Sequence, residues 1–213
     1  MRVLSIAVCL SVAASLAACE EEPTTWFPPD AGRDAGPAAD GGARDGGNPA
    51  ALGGLDAGAP AAKLPVENDG EWVIFEQDGG AENPAAEISG DVSAKAIDGG
   101  TEFTLAVEGL PGTRPFGTHL HTLPCAEQQG GPHYQHLAPP AGTPLTDPKF
   151  ANETNEVWLD FEADAEGKGA RTARVGFVPR KGGANSVVVH ERLTGDGGVA
   201  GARLACTNIP FAD

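Results

Sequence analysis

Five histidines are the residues of this 213-residue chain best suited to chemistry. His119 and His121 stand two positions apart in an alternating segment that predicts a β-strand, so both imidazoles leave the same face. Two adjacent imidazoles are the beginning of a copper or zinc site. Taken alone, such a pair on a strand is more often an ordinary half-exposed pair than a metal site. His190 ends an apolar run, where a hydrogen-bonded core histidine is the alternative to a metal ligand.

The cysteines limit the number of disulfides to one in the folded part of the chain. Cys9 and Cys19 belong to the N-terminal segment, which leaves Cys125 and Cys206. In an oxidising compartment these two can pair in only one way. A bridge closing about 80 residues is worth on the order of 4.5 kcal/mol in the chain-entropy model. Two buried free thiols are the alternative.

The N-terminus predicts export and lipidation. Residues 1–18 have one positive charge, an apolar stretch and small residues before Cys19, which is the layout of a bacterial signal peptide. Leu16-Ala17-Ala18-Cys19 resembles a lipobox, so we expect a lipid on Cys19 that holds the protein to a membrane. An ordinary signal with an incidental cysteine is the alternative. Glu20 follows the cysteine, which slightly favours the outer membrane within the cell envelope.

Composition divides the mature chain into a tether and one domain. Ala, Gly, Pro and Asp supply 32 of the 46 residues in 20–65, without any helical or strand period. We therefore expect residues 19–65 to form a disordered tether. Residues 66–213 carry 10 Lys and Arg against 22 Asp and Glu, a net charge of −12. This acidity argues against a nucleic-acid partner, and the domain is expected in the periplasm or outside the cell.

The domain sequence predicts short strands separated by turns, and no amphipathic helix. The expected architecture is an eight-stranded antiparallel β-sandwich or flattened barrel. Turns at 98–100 and 165–169 each predict a hairpin. The long irregular segment 124–154 is expected to be functional or anchored. The strands are predicted at 70–77, 86–97, 101–110, 117–123, 155–164, 170–179, 186–192 and 202–211.

The order of the histidine and cysteine motifs resembles the copper/zinc superoxide dismutase family. The matching pieces are GTHLHTLPC (117–125), GGPHYQH (130–136), SVVVHE (186–191) and GARLAC (201–206). The resemblance covers about 66–213, and with the N-terminus it points to a bacterial lipoprotein member. It implies a Greek-key β-sandwich with a long metal-site loop, and the conversion of superoxide to O₂ and hydrogen peroxide.

The resemblance also implies roles for individual residues. Cys125 and Cys206 match the family's disulfide, which holds the loop against the last strand. Arg203 matches the arginine that draws the superoxide anion to the copper; a surface charge on a final strand is the alternative. The expected copper ligands are His119, His121, His133 and His190, and His133 is also expected to carry a proton during turnover.

The zinc site is where the sequence departs from the family. No histidine lies between His136 and His190, so at least one zinc imidazole is missing. His136 remains as a candidate zinc ligand, or as a hydrogen-bond partner of a ligand. Oxygen ligands could come from Asp147, Glu153 or Glu156. Because a structural zinc site needs four N, O or S ligands, we expect a copper-only or zinc-poor centre.

The predicted function is therefore that of an extracytoplasmic copper-dependent superoxide dismutase. The alternative is a copper-binding or copper-buffering envelope lipoprotein with little turnover, which the reduced zinc site and the short segment 191–201 favour. Arg203 argues against storage, because storage needs no guide for an anion. A structural domain with a degenerate site is opposed by the presence of all four copper-type histidines.

Overall fold

The computed structural model describes residues 60–211. The predicted signal peptide, Cys19 and the tether up to residue 59 lie outside the described residues. Within 60–211, no helix is long and apolar enough to cross a membrane.

Nine short strands in the described part of the chain form two antiparallel sheets. Sheet one contains, in spatial order, β1 (Val66–Glu67), β3 (Ser89–Ile97), β4 (Gly100–Glu108) and β7 (Gly169–Val175). Sheet two contains, in spatial order, β2 (Val73–Ile74), β9 (Arg203–Asn208), β8 (Ser186–His190), β5 (Arg114–His121) and β6 (Phe161–Ala163).

The two sheets share one apolar core, as alternation along their strands requires. Phe103 and Leu105 of β4 are fully buried, and so are Val187 and Val189 of β8. The all-β prediction with two antiparallel sheets is confirmed, as open sheets rather than a closed barrel. Each of the eight predicted strands has a counterpart, and β1 is an additional strand.

One of the two predicted hairpins is present. β3 and β4 pair along their whole length around the turn at Asp98 and Gly99. The hairpin across residues 165–169 is wrong, because β6 pairs with β5 while β7 pairs with β4 in the other sheet. The chain passes from one sheet to the other between β6 and β7. Gly169, the first residue of β7, packs so closely on the ring of Phe161 in β6 that a Cβ at residue 169 would overlap the ring.

Residues 60–65, which the sequence assigned to the tether, pack on the domain. The amide of Ala62 donates to the carbonyl of Pro179 at 2.9 Å, and the amide of Lys181 donates to that of Pro60 at 2.8 Å. Ala62 is buried and Leu64 packs against the core. The sequence does not predict this contact, because the alanine- and proline-rich residues 60–65 show no strand periodicity.

Residues 122–133, the covering segment, lie over the outer face of the five-stranded sheet. Leu120 of β5 faces the core, so its neighbours His119 and His121 face the opposite side, beneath this segment. The predicted disulfide is present: Cys125 is bonded to Cys206 of β9, with the two Cα atoms 5.6 Å apart. The bridge fixes the start of the covering segment to the sheet.

Candidate metal centre

Four imidazoles that are far apart in the sequence converge on the outer face of the five-stranded sheet. His119 and His121 come from β5, His190 ends β8, and His133 lies in the covering segment. Each offers one nitrogen, and these four nitrogens all lie within 4.8 Å of one another. The structure thus brings together the four residues predicted as copper ligands.

The hydrogen bonds of His121 and His190 determine which of their nitrogens faces the cluster. The Nδ1 atom of His121 lies 2.8 Å from the carbonyl of Gly131, and that of His190 lies 3.4 Å from the carbonyl of Gly201. A carbonyl oxygen only accepts, so we assign the hydrogen to Nδ1 in both rings. Their Nε2 lone pairs then face each other across 3.3 Å.

His133 is oriented by a buried carboxylate. Its Nδ1 donates to Oε2 of Glu156 at 3.0 Å. Glu156 is 1% exposed, and it also accepts from Nε1 of Trp158 and Nε2 of Gln135, each at 2.8 Å. Three donors therefore satisfy this carboxylate, and the Nε2 lone pair of His133 is left for the cluster.

His119 has the opposite ring orientation. Its Nε2 lies 2.6 Å from the hydroxyl of Thr194, which itself donates to Oδ1 of Asp160 at 2.7 Å. Its Nδ1 is buried and has no hydrogen-bond partner in the described structure. A buried polar atom without a partner is costly, and this one belongs to a set of lone pairs that a metal ion would satisfy.

The electrostatics favour the neutral form of three of the imidazoles. Burial, followed by repulsion from the neighbouring rings and Arg203, holds the pKa of His119 and His121 well below the ordinary range. Burial and His133 lower the pKa of His190 to about 3. Neutral imidazoles are the form that binds copper, zinc, iron or nickel, so these three residues fit a metal ion without first losing protons.

On the side of the ring where the family would hold zinc, Nδ1 of His133 is paired with Glu156, and Gly198 packs against both side chains. A Cβ there would lie 3.2 Å from Nδ1 of His133 and 3.3 Å from Oε2 of Glu156, on a backbone with φ of +74°. Glycine is therefore required at this position.

The other candidate zinc ligands lie elsewhere. The ring of His136 stacks on Phe177, with centroids 4.3 Å apart, and its Nδ1 lies 3.4 Å from the hydroxyl of Tyr134. Asp147 accepts from the amide of Lys149, and Glu153 is exposed. Within residues 60–211, the four-histidine cluster is the one convergent group of three or more His, Cys, Asp or Glu side chains.

Arg203 reaches the same site because of a β-bulge. Val189 pairs with Ala205, whereas His190 pairs with Arg203, so Leu204 is the extra residue. Paired residues point to the same face, and the bulge therefore places Arg203 beside His190. A regular ladder would have put Leu204 there.

The guanidinium of Arg203 is held by the covering segment and lines a cavity. Its Nη1 donates to the carbonyl of Gln128 and its Nη2 to that of Gly131, each at 2.7 Å. Arg203, His133 and His190 share the wall of a cavity of about 430 Å³. The exposed side chains of Leu145 and Val199 stand in the same wall. The predicted anion guide thus lies in the cavity that leads to the cluster.

Sequence reasoning missed the residues that orient the imidazoles. Trp158 and Asp160 lie in the alternating segment 155–164, which is predicted as one strand. Nothing in that alternation distinguishes them from other strand residues. Gln135 lies between His133 and His136, and this position could have identified it as a neighbour of the site. Thr194 carried no signal, because its contact with His119 joins residues 75 positions apart.

Comparison with known proteins finds a similarity by structure and none by sequence. No family model matches the sequence, and no curated protein matches it. Among solved structures, the chain is similar to the Cu/Zn superoxide dismutase from Brucella abortus, with 22% sequence identity, over 68% of this chain and 97% of that chain, at a TM-score of 0.45.

Proposed function

We propose that this chain is a copper-dependent superoxide dismutase of the cell envelope. In the reaction, one superoxide anion is oxidised to O₂, and a second is reduced and leaves with two protons as hydrogen peroxide. The observation that carries the proposal is the hydrogen bonding of the second nitrogens. All four point at oxygen atoms, so four lone pairs converge on one point.

Copper suits this donor set, and it would supply one-electron redox chemistry when bound. Imidazole is a ligand that copper accepts. The binding atoms would be Nδ1 of His119 and Nε2 of the other three rings, which are His121, His133 and His190. The protein binds these rings through their outer nitrogens, so their orientation does not depend on the metal.

His133 is the residue suited to proton transfer. With its Nδ1 hydrogen donated to Glu156, a second proton on Nε2 would make an imidazolium that faces a buried carboxylate at 3.0 Å. His133 also lines the cavity, so a proton held on its Nε2 would be accessible from the cavity.

Arg203 supplies local positive charge at a site in an acidic domain. The net charge of −12 over residues 66–213 opposes the approach of an anion. At most three of the five N–H groups of Arg203 are used by carbonyls, so at least two remain for an anion. Positive charge at the base of a cleft focuses the field and raises the capture rate.

The proposal also includes a subcellular location. The lipobox-like Leu16-Ala17-Ala18-Cys19 supports a membrane anchor through lipid on Cys19, with the outer membrane favoured by Glu20. The disulfide between Cys125 and Cys206 is compatible with an oxidising compartment. Globomycin treatment, which blocks processing of lipidated precursors, would leave a larger precursor if this part of the proposal is right.

A metal and activity measurement on the purified chain tests the enzymatic proposal. We expect about one copper per chain, no requirement for zinc, and rapid dismutation of superoxide by the loaded protein. Stoichiometric copper without dismutation would instead establish the copper-buffering alternative. His121→Ala is expected to lose copper, whereas His136→Ala, in a ring outside the cluster, is the matched control that retains it.

A further inference from the structure

His119 differs from the other three clustered imidazoles in how its outer nitrogen is held. The outer nitrogens of His121 and His190 face backbone carbonyls, and that of His133 faces a carboxylate. Those oxygens can only accept a hydrogen bond. The outer nitrogen of His119 instead faces the hydroxyl of Thr194, which can either donate or accept.

The hydrogen bonds of Asp160 determine whether the hydroxyl of Thr194 donates to His119 or accepts from it. Its carboxylate accepts from the hydroxyl of Thr194 at 2.7 Å, from the amide of Thr194 at 2.7 Å, and from the amide of Thr118 at 3.0 Å. The hydroxyl has one hydrogen, and the carboxylate takes it. The oxygen lone pairs of Thr194 are then left to accept from Nε2 of His119.

We propose that Thr194 and Asp160 form a positioning relay that fixes the tautomer of His119 and keeps its Nδ1 free to bind a metal ion. The inference rests on the proposed function only for the identity of that metal, copper. Nε2 of His119 lies 3.9 Å from Oδ1 of Asp160, too far for a direct hydrogen bond. The hydroxyl is therefore the necessary link.

The relay also joins a ligand to the wall of the cavity. Thr194 lies in the segment 191–201, where Val199 and Gly201 line the cavity. The amide of Gly195, next to Thr194, donates to the carbonyl of Val199 at 2.9 Å. Movement of this segment would change the hydrogen bond that orients His119.

Nitrogen-15 NMR of the metal-free chain tests the relay independently of turnover. In the wild type we expect His119 to show the Nε2–H tautomer. Thr194→Val has the same shape without the hydroxyl, so the Nδ1–H tautomer should gain population. Thr194→Ser keeps a hydroxyl and should restore the wild-type signal. Thr118→Val removes a neighbouring buried hydroxyl that bonds nothing, and it should leave the tautomer unchanged.

Competition for Cu(II) against a chelator gives the second measurement. Loss of a hydrogen-bond partner of a metal-binding histidine typically lowers metal affinity about 10- to 100-fold, and we expect this for Thr194→Val and for Asp160→Asn, but not for Thr194→Ser. In Asp160→Asn an amide N–H can turn the hydroxyl toward His119, which reverses the tautomer.

The outcomes separate this inference from the proposed function. If Thr194→Val leaves both the His119 tautomer and the Cu(II) affinity at wild-type values, the relay is refuted, whatever the activity of the chain. If both change while the loaded wild type does not dismutate superoxide, the relay stands and the enzymatic proposal fails.

Discussion

His133 donates its outer hydrogen to Glu156 across 3.0 Å, in a pocket where the carboxylate is 1% exposed. The imidazole at the cavity wall is thereby paired with a buried negative charge. Gly198 packs against both side chains of this pair.

We expect Glu156→Gln to lower the dismutation rate per bound copper by about 10-fold. The amide keeps the shape of the carboxylate but not the charge that accepts the Nδ1 hydrogen of His133 and orients its ring. The measurement is the superoxide decay rate normalised to copper content. Glu153→Gln changes an exposed carboxylate three residues away and should have no effect. An unchanged rate per copper in Glu156→Gln would contradict the role of the charge.

Arg203→Ala should lower the rate by about 10-fold while copper remains bound, because the variant loses the local field that captures an anion. The loss should be larger at low ionic strength, where charges are less screened. Stopped-flow assays at low and high salt measure it. Arg171→Ala, on β7 of the other sheet, is the control. Full activity of Arg203→Ala at both salt concentrations would exclude steering.

Removal of the disulfide should destabilise the domain by about 4–5 kcal/mol in the chain-entropy model, since 81 positions separate the two cysteines. Urea unfolding of Cys125→Ser/Cys206→Ser at neutral pH measures the change. The wild-type chain treated with reductant is the parallel sample and should shift by a similar amount. A change below about 1 kcal/mol would show that the covering segment is held mainly by other contacts.

Thr118→Val should raise the free energy of unfolding by about 1 kcal/mol. The hydroxyl of Thr118 is buried and has no partner in the described structure, and valine replaces it at equal shape without the desolvation cost. The amide of residue 118 still reaches Asp160. Thr122→Val is the comparison, because its hydroxyl donates to the carbonyl of Pro132 and its loss should not stabilise.

His136 should contribute to acid sensitivity. Burial, reinforced by the charge of Arg180, lowers the pKa of its ring, which also faces the Tyr134 hydroxyl and stacks on Phe177. The unfolded chain then binds more protons at mildly acidic pH, so this stability is complete above a pH of about 6.5 and is lost as the pH falls below it.

The test compares the wild type with His136→Phe, which keeps a ring for the stack. Urea midpoints at about pH 7.5 and about pH 5 should differ less in the variant. An equal difference in both proteins would assign the acid sensitivity to other groups.

The residues that make up the metal cluster were predictable because their type and order are visible in the sequence. Histidine is rare in this chain, and each of the four metal-type positions sits in a recognisable piece of sequence. The strand pattern of β5 also showed that His119 and His121 share a face. The disulfide followed from the small number of cysteines.

The arrangement around the cluster was not predictable for a physical reason. Thr194 and Asp160 are residue types common on any surface, and their hydrogen bond joins positions 34 apart through the tertiary fold. The hairpin predicted at 165–169 failed because the sheet to which a strand belongs depends on packing, here of Phe161 on Gly169. Local periodicity contains no information about that choice.

The bulge at Leu204 makes the placement of Arg203 depend on the register of the strand as well as on the kind of residue. If β8 and β9 paired regularly past Val189 and Ala205, Leu204 would lie opposite His190 and the guanidinium would turn to the interior of the sandwich, with the sequence unchanged. A chain that lacks one residue between Arg203 and Cys206 would need no bulge, because a regular ladder would then set the arginine opposite His190. Sequence alignments of such chains must therefore count this single position before they assign the arginine to a face of the sheet.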